Sequence, residues 1–199
     1  MTVPDVDVRI ATEADAADIA DVLAAAFADY PFTRHTIAAD DHADRLRRGQ
    51  ELFVREVGLP HGEVWVTGDG DAASVWTGPG FVTAAEVFGR LGPRLAEIAG
   101  DRAAQSERVE RALQPYRPRR PVWFLGSVGV RPGRQGRGLG TAVIAPGLAA
   151  ADADGVPAFL ETSLPGNVEF YRRLGFEVTA EVMLPDDGPV TWAMERPAR

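Results

Sequence analysis

The sequence predicts an α/β fold, a central mixed β-sheet flanked by helices on both faces, in one domain spanning 1–199. Three observations carry this. Seven short apolar or alternating segments have the length of strands; amphipathic or alanine-rich stretches separate them; and their order is βααββ, then helices, then βαβαββ, which combines hairpins with parallel crossovers. At 199 residues the chain is long enough for one good-sized core and thin for two.

Val6–Ile10 alternates apolar with polar and reads as the first strand. Thr12 followed by Asp15 resembles a helix cap with an acidic first turn, and Ile19, Val22, Leu23, Ala26 and Phe27 then share one helical face. This helix is expected to end at Tyr30-Pro31, because proline cannot continue it. A second helix is expected over 41–57. Strands 63–67 and 73–77 flank the turn Gly68-Asp69-Gly70-Asp71, a hairpin signal. Residues 83–114 read as helical, with breaks expected at Gly92-Pro93 and Gly100. A proline- and arginine-rich connector, 115–121, leads into an apolar strand over 121–130 suited to the sheet centre. A glycine-rich turn, 132–140, opens a helix over 139–152 that Pro146 should distort. A buried strand at 156–162, a short helix at 167–174 stopped by Gly175, and strands at 176–182 and 190–195 complete the chain.

Composition removes several chemistries. The chain has 29 acidic and 21 basic residues, every basic residue is arginine, and there is no cysteine. Without lysine there is no Walker-type phosphate loop and no Schiff base; without cysteine there is no disulfide, thiolate nucleophile or thiolate metal site. His35, His42 and His61 have no metal-ligand spacing, so no metal is expected. The stretch from Arg111 to Ala151 carries seven arginines and no acid within a chain of net charge −8. That balance disfavours nucleic acid as a partner and suits one small anion held locally. Met1–Ile10 is acidic and short on apolar residues, and no apolar run approaches the roughly 20 residues a membrane helix needs, so no membrane partner and a cytoplasmic location are expected. Nothing in the sequence sets an oligomeric state.

The most informative stretch is Ser127 to Thr141, where a strand enters a turn whose glycines at 136, 138 and 140 open a helix. Free N–H groups and the dipole at a helix start make an anion site, with Arg134 and Arg137 at its rim. A phosphate or pyrophosphate is the natural guest. The glycine spacing G-x-G-x-G departs from the dinucleotide fingerprint G-x-G-x-x-G. A turn without a ligand is the plain structural alternative. A further reading is the pyrophosphate loop of acyl-CoA-dependent N-acetyltransferases, Gln or Arg, two residues, Gly, one residue, Gly or Ala, which Gln135 to Gly140 fits position by position.

About 30 residues on, Asn167-Val168-Glu169-Phe170-Tyr171-Arg172-Arg173-Leu174-Gly175-Phe176 resembles the N-x-x-x-Y-x-x-x-G-F signature of the same superfamily, the GCN5-related N-acetyltransferases (GNAT). A closer resemblance runs end to end. Leu23–Pro31, Thr33–Thr36, Trp76, Trp123–Leu125, Val128–Val130, Gly138–Gly140, Gly155–Ser163, the Tyr171–Phe176 segment and Thr191-Trp192 are similar to the puromycin N-acetyltransferases. Phe32 and Gly78-Pro79-Gly80-Phe81 differ from them, which leaves the acceptor open.

The resemblance implies a GNAT-like fold with its acetyl-CoA-binding core over about 121–182, and acetyl transfer to the free amine of puromycin or a similar aminoacyl-nucleoside. It implies that the strand Val128-Gly129-Val130 parts from its neighbour and holds the pantetheine arm. It further implies that Arg134, Gln135, Gly136, Arg137, Gly138, Leu139, Gly140 and Thr141 hold the pyrophosphate, that Asn167 contacts the cofactor, and that Tyr171 protonates the leaving thiolate. Glu161, at the end of a strand facing the cofactor, is the candidate for ordering the amine or relaying its proton. An apolar cleft for an aromatic acceptor could use Tyr30, Phe32, Trp76 and Trp192 as walls. Other small amines, a protein N-terminus, or a non-catalytic acyl-CoA sensor are the alternatives.

Overall fold

The computed structural model describes residues 6–199; Met1–Asp5, the start of the acidic N-terminal stretch, lie outside the described residues. The elements are β1 (Val8–Ile10), α1 (Ala16–Phe27), α2 (Pro31–Thr36), α3 (His42–Phe53), α4 (Leu59–His61), β2 (Gly62–Thr67), β3 (Ala72–Thr77), α5 (Ala84–Ala99), α6 (Ala103–Leu113), β4 (Trp123–Val130), α7 (Leu139–Asp154), β5 (Ala158–Thr162), α8 (Pro165–Arg173), β6 (Glu177–Met183) and β7 (Val190–Arg196). The strands form one sheet in the order β1-β2-β3-β4-β5-β7-β6. β4 and β5 pair in parallel; every other neighbouring pair is antiparallel. This is the expected mixed sheet.

Alternation along the strands sends side chains to two helical layers. On one face, Ile19 and Leu23 of α1 pack with Val64, Val66, Ala73 and Val75. On the other, Ile144, Leu148 and Ala151 of α7 and Val168 and Tyr171 of α8 pack with Trp76, Trp123, Leu125 and Leu160. α5 and α6 extend the α1 layer, through Val87, Leu91 and Ile98 against Leu52 and Val57, and through Val109 and Leu113 against Val182 and Leu184.

Two helical details differ from the sequence expectation. The chain re-enters helix at Pro31, because proline's fixed φ and missing N–H suit the first helical position as well as they end a preceding helix. α5 runs through Gly92-Pro93 and stops only at Gly100; Gly89, whose carbonyl Pro93 leaves without its helical donor, is on the exposed side, where water can serve it. Pro146 lies inside α7, as the sequence placed it, and the helix is continuous across it. Ser74 Oγ donates to the Val143 carbonyl at 2.6 Å, one turn before that proline.

The feature that positions the site is the parting of β4 and β5. Their pairing covers only Trp123–Leu125 against Ala158–Leu160. At that point β4 also shifts register against β3, Leu125 pairing with Trp76 and Ser127 with Val75, so Gly126 is an extra residue. Such a bulge bends the strand and re-aims it. Beyond it, the second half of β4 keeps its bonds to β3 and has none to β5.

The C-terminal strand is tied to α7 by Arg196, whose two terminal nitrogens donate to the two carboxylate oxygens of Asp152, each at 2.8 Å. Arg196 is 5 % exposed and Asp152 28 %. The Arg196 hydrogen bonds, opposed by partial burial, hold the Asp152 carboxyl below the usual carboxylate range, with help from the Arg199 N–H. A carboxyl with a depressed folded pKa stabilises above its unfolded value, near 3.9, and that contribution is lost as pH falls through the folded value. Asp152→Asn is therefore expected to cost about 2 kcal/mol at neutral pH. Urea unfolding at pH 7 and at about pH 3 checks it: the gap between wild type and variant narrows in acid.

Candidate active site

α1 lies directly on the free half of β4. A Cβ at Gly129 would stand 2.8 Å from Ala26 Cβ and 3.1 Å from Leu23 Cδ2, so only glycine lets the helix come this close. That approach delivers the end of α1, with Phe27 and Tyr30, to the place where β4 and β5 separate. The two rings meet edge to face, with centroids 5.1 Å apart.

On β5, Leu160 and Thr162 face α7 and α8, whereas Phe159 and Glu161 face the α1 and α6 side. Tyr30 comes off the opposite layer, yet its hydroxyl hydrogen-bonds Thr162 Oγ1 at 3.0 Å and accepts the Ser163 N–H at 2.6 Å. These bonds place the phenol hydroxyl at the end of β5, beyond the point where β4 and β5 stop pairing. Thr162 Oγ1 also accepts from Asn167 Nδ2 at 3.1 Å. Tyr30, Thr162, Ser163 and Asn167 thus form one polar cluster at the end of β5. Thr162 and Ser163 belong to this cluster, although in the sequence they are marked out only by the Gly155–Ser163 resemblance.

Tyr171 projects from α8 beside this cluster and is 6 % exposed. Its ring packs against Phe170 and Phe176, with centroids 5.1 and 5.8 Å away. Burial, and then the neighbouring Tyr30, raise its pKa above the ordinary phenol value, with no hydrogen bond to offset them. Burial also raises Tyr30, against the opposing bonds from Thr162 and Ser163. Both phenols therefore keep their protons at neutral and moderately alkaline pH.

The glycine turn leaves β4 and ends at Gly138, which caps α7 with φ of 82°, a left-handed conformation that glycine adopts without strain. Among the described residues, the backbone N–H groups from Gln135 to Thr141 have no backbone acceptor. They span the loop and the first turn of a 16-residue helix, where the dipole adds positive potential. Val128, Val130 and Leu139 turn their side chains into a small core with Ala72 and Val143, so what they offer a ligand is backbone. Gly136 and Gly140 likewise offer only backbone, and Gln135 and Arg137 are exposed.

The seven arginines between 111 and 151 are largely balanced by acids from elsewhere in the fold. Arg117, in the connector, is held between Glu110 and Glu161. Arg120 pairs with Glu195, and Arg131 and Arg134 pair with Asp71. Among the described residues, Arg119 and Arg137 are the members of that group with no ion pair. Arg137 is therefore the uncompensated cation at the loop. Arg134, read from sequence as a rim charge, is already engaged.

The other candidates are dispersed. Glu161 has both oxygens on Arg117, from Nε at 2.8 Å and from Nη2 at 2.9 Å. Trp76 is fully buried beneath α7, its indole occupying the space a Cβ on Gly147 would fill, so it lies in the core and lines no cleft. Phe32 packs against Val109, Leu113, Val182 and Leu184. Trp192 lies across from Thr162 on β7, partly buried, and donates Nε1–H to Glu181 at 3.0 Å. Of the four proposed walls, Tyr30 and Trp192 therefore adjoin the β5 end. Among the described residues, no three His, Asp or Glu groups are placed to hold a metal ion, and no helix is long and apolar enough to cross a membrane.

This geometry has counterparts among known proteins. The profile described as the acetyltransferase (GNAT) family matches residues 104–176, from α6 through the loop to Tyr171 and Phe176. A structure from Corynebacterium glutamicum, described as histone acetyltransferase HPA2 and related acetyltransferase, is 29 % identical. It covers 98 % of this chain and 97 % of its own, with a TM-score of 0.75. The Drosophila melanogaster polyamine N-acetyltransferase (15 % identity, 97 % and 100 % coverage, TM-score 0.60) and arylalkylamine N-acetyltransferase 2 from Aedes aegypti (11 %, 98 % and 100 %, 0.62) share the fold. The profile match over 104–176, the whole-chain likeness and the loop followed by its tyrosine make this chain similar to the GNAT acetyltransferases, which use acetyl-CoA.

Proposed function

We propose that this enzyme transfers the acetyl group of acetyl-CoA to the free amine of puromycin or a similar aminoacyl-nucleoside, in a ternary complex. The observation that carries the chemistry is the juxtaposition of a run of free N–H groups at the start of α7 with two protonated tyrosines at the gap between β4 and β5. The acceptor rests on the end-to-end sequence resemblance. The C. glutamicum neighbour's description as a histone acetyltransferase and related acetyltransferase keeps a protein amine as the second reading.

A thioester carries its own activation, so the protein's work is orientation and electrostatics. In this reading the N–H groups of Gln135–Thr141 and the Arg137 guanidinium take the pyrophosphate. The half of β4 from Ser127 to Val130 holds the pantetheine arm and polarises the thioester carbonyl, because β5 no longer uses its backbone groups. The neutral amine attacks that carbonyl, a C–N bond forms, the C–S bond breaks, and the thiolate takes the Tyr171 proton. An α-amine has a pKa of about 7.7–8.0, so roughly a tenth to a sixth of it is neutral at pH 7 and no strong base is required. This fits a Glu161 committed to Arg117. Tyr30, Asn167 and Thr162 shape the acceptor's side of the gap, and Trp192 borders it. The amine's proton leaves to water.

Purified enzyme with acetyl-CoA and puromycin should release CoA in step with N-acetylpuromycin. Release only with polyamines or a histone peptide would move the acceptor to the second reading. Tyr171→Phe should lower kcat by about 100-fold with little change in acetyl-CoA affinity, as expected for loss of a general acid. In wild type, kcat/KM for the amine should rise with pH through about 8, as the amine deprotonates, then hold level. The pKa of Tyr171 is raised, so its proton stays on through that range; a descending limb centred between about pH 8 and 9 would contradict its role.

A further inference from the structure

The glycine turn has little to hold it in place. Arg131 to Arg137 are mostly exposed, Gly133, Gly136 and Gly138 take positive φ, and among the described residues the N–H groups of Gln135–Thr141 have no backbone acceptor. Among the described residues, the side-chain hydrogen bonds from residues 131–138 to the rest of the chain all end on two carboxylates, Asp69 and Asp71, in the β2–β3 turn. Arg131 Nε donates to Asp71 Oδ1 at 3.2 Å, Arg134 Nε donates to Asp71 Oδ2, and Arg134 Nη2 donates to Asp69 Oδ2 at 3.2 Å. The Arg131 N–H adds a bond to the Asp71 carbonyl at 2.8 Å.

The receiving turn is itself rigidly built. Thr67 Oγ1 donates to Asp69 Oδ1 at 2.7 Å and accepts the N–H groups of Asp71 at 3.0 Å and Ala72 at 3.1 Å. The Asp71 side chain is only 13 % exposed. An ordinary surface ion pair contributes little. This one is different, because a largely buried carboxylate, fixed at both ends of its backbone, grips two arginines three residues apart on an otherwise untethered loop.

We propose that Asp71, assisted by Asp69, is a positioning residue for acetyl-CoA. It holds Arg131 and Arg134 as struts, and so fixes the N–H groups of Gln135–Thr141 before the pyrophosphate arrives. Arg134 then serves the loop's shape, and Arg137 serves the ligand. A flexible loop that is ordered in advance spares the entropy otherwise lost on binding. The inference rests on the reading that this loop takes the pyrophosphate of acetyl-CoA.

Calorimetric titration of acetyl-CoA into wild type, Asp71→Asn, Arg134→Gln and the double variant tests it. Asp71→Asn should bind about tenfold more weakly and Arg134→Gln by less, and the double no more weakly than Asp71→Asn alone, because Arg134→Gln removes one of the two struts that Asp71→Asn already cuts. In turnover the loss should appear in KM for acetyl-CoA rather than in kcat. Asp69→Asn, in the more exposed part of the turn, should weaken binding in the same direction by less, and it serves if Asp71→Asn fails to fold. Unchanged or tighter binding in Asp71→Asn, with steeper salt dependence, would mean a freed Arg134 contacts phosphate, and would overturn the proposal. Losses that simply multiply in the double variant would also overturn it. Wild type that binds no acetyl-CoA would instead sink the reading of the loop.

Discussion

The site depends on the separation of two strands. β4 and β5 are hydrogen-bonded for three residue pairs and then part at the Gly126 bulge. Unpaired backbone inside a fold is costly unless something satisfies it. Here the separation leaves the second half of β4 bonded on one side only, and the Tyr30 hydroxyl sits at the end of β5, bonded to Thr162 and Ser163. Closing the strands would restore a few sheet bonds and remove the place where a thioester and an amine could meet.

The second element of the site follows from the first. β4 must lead into the turn that starts α7, so the same strand that offers free backbone also aims the helix dipole and the loop's N–H groups. Positive potential at this point is mostly backbone. The neighbouring arginines are neutralised by Asp69, Asp71, Glu110, Glu161 and Glu195, and among the described residues Arg137 is the loop arginine with no ion pair. An acidic protein can in this way present one narrow anion site without becoming a general binder of polyanions.

Much of the architecture was legible in the sequence. Strand periodicity located all seven strands to within a few residues, and the two motifs located the loop and Tyr171. What was not legible depended on long-range partners. Pro31 was read as a stop when it also starts a helix; Gly92-Pro93 was read as a break because the solvent exposure of Gly89 is a tertiary fact. Trp76 looked like an aromatic wall, and the small side of Gly147, 71 residues on in sequence, draws it into the core. The partners of Arg117, Glu110 and Glu161, were not legible because they meet it only once α6 docks beside β5. The pairing of Asp69 and Asp71 with Arg131 and Arg134 is visible in sequence as two short charged motifs of opposite sign, but nothing local joins them.

The central claim is that the free N–H groups from Gln135 to Thr141 are the donors that receive the pyrophosphate. Amide hydrogen exchange with and without acetyl-CoA measures it most directly. Saturating acetyl-CoA should slow exchange in a peptide covering 135–141 more than in the β6–β7 region. Protection confined to other segments, with the loop exchanging as fast as in the free protein, would contradict the account.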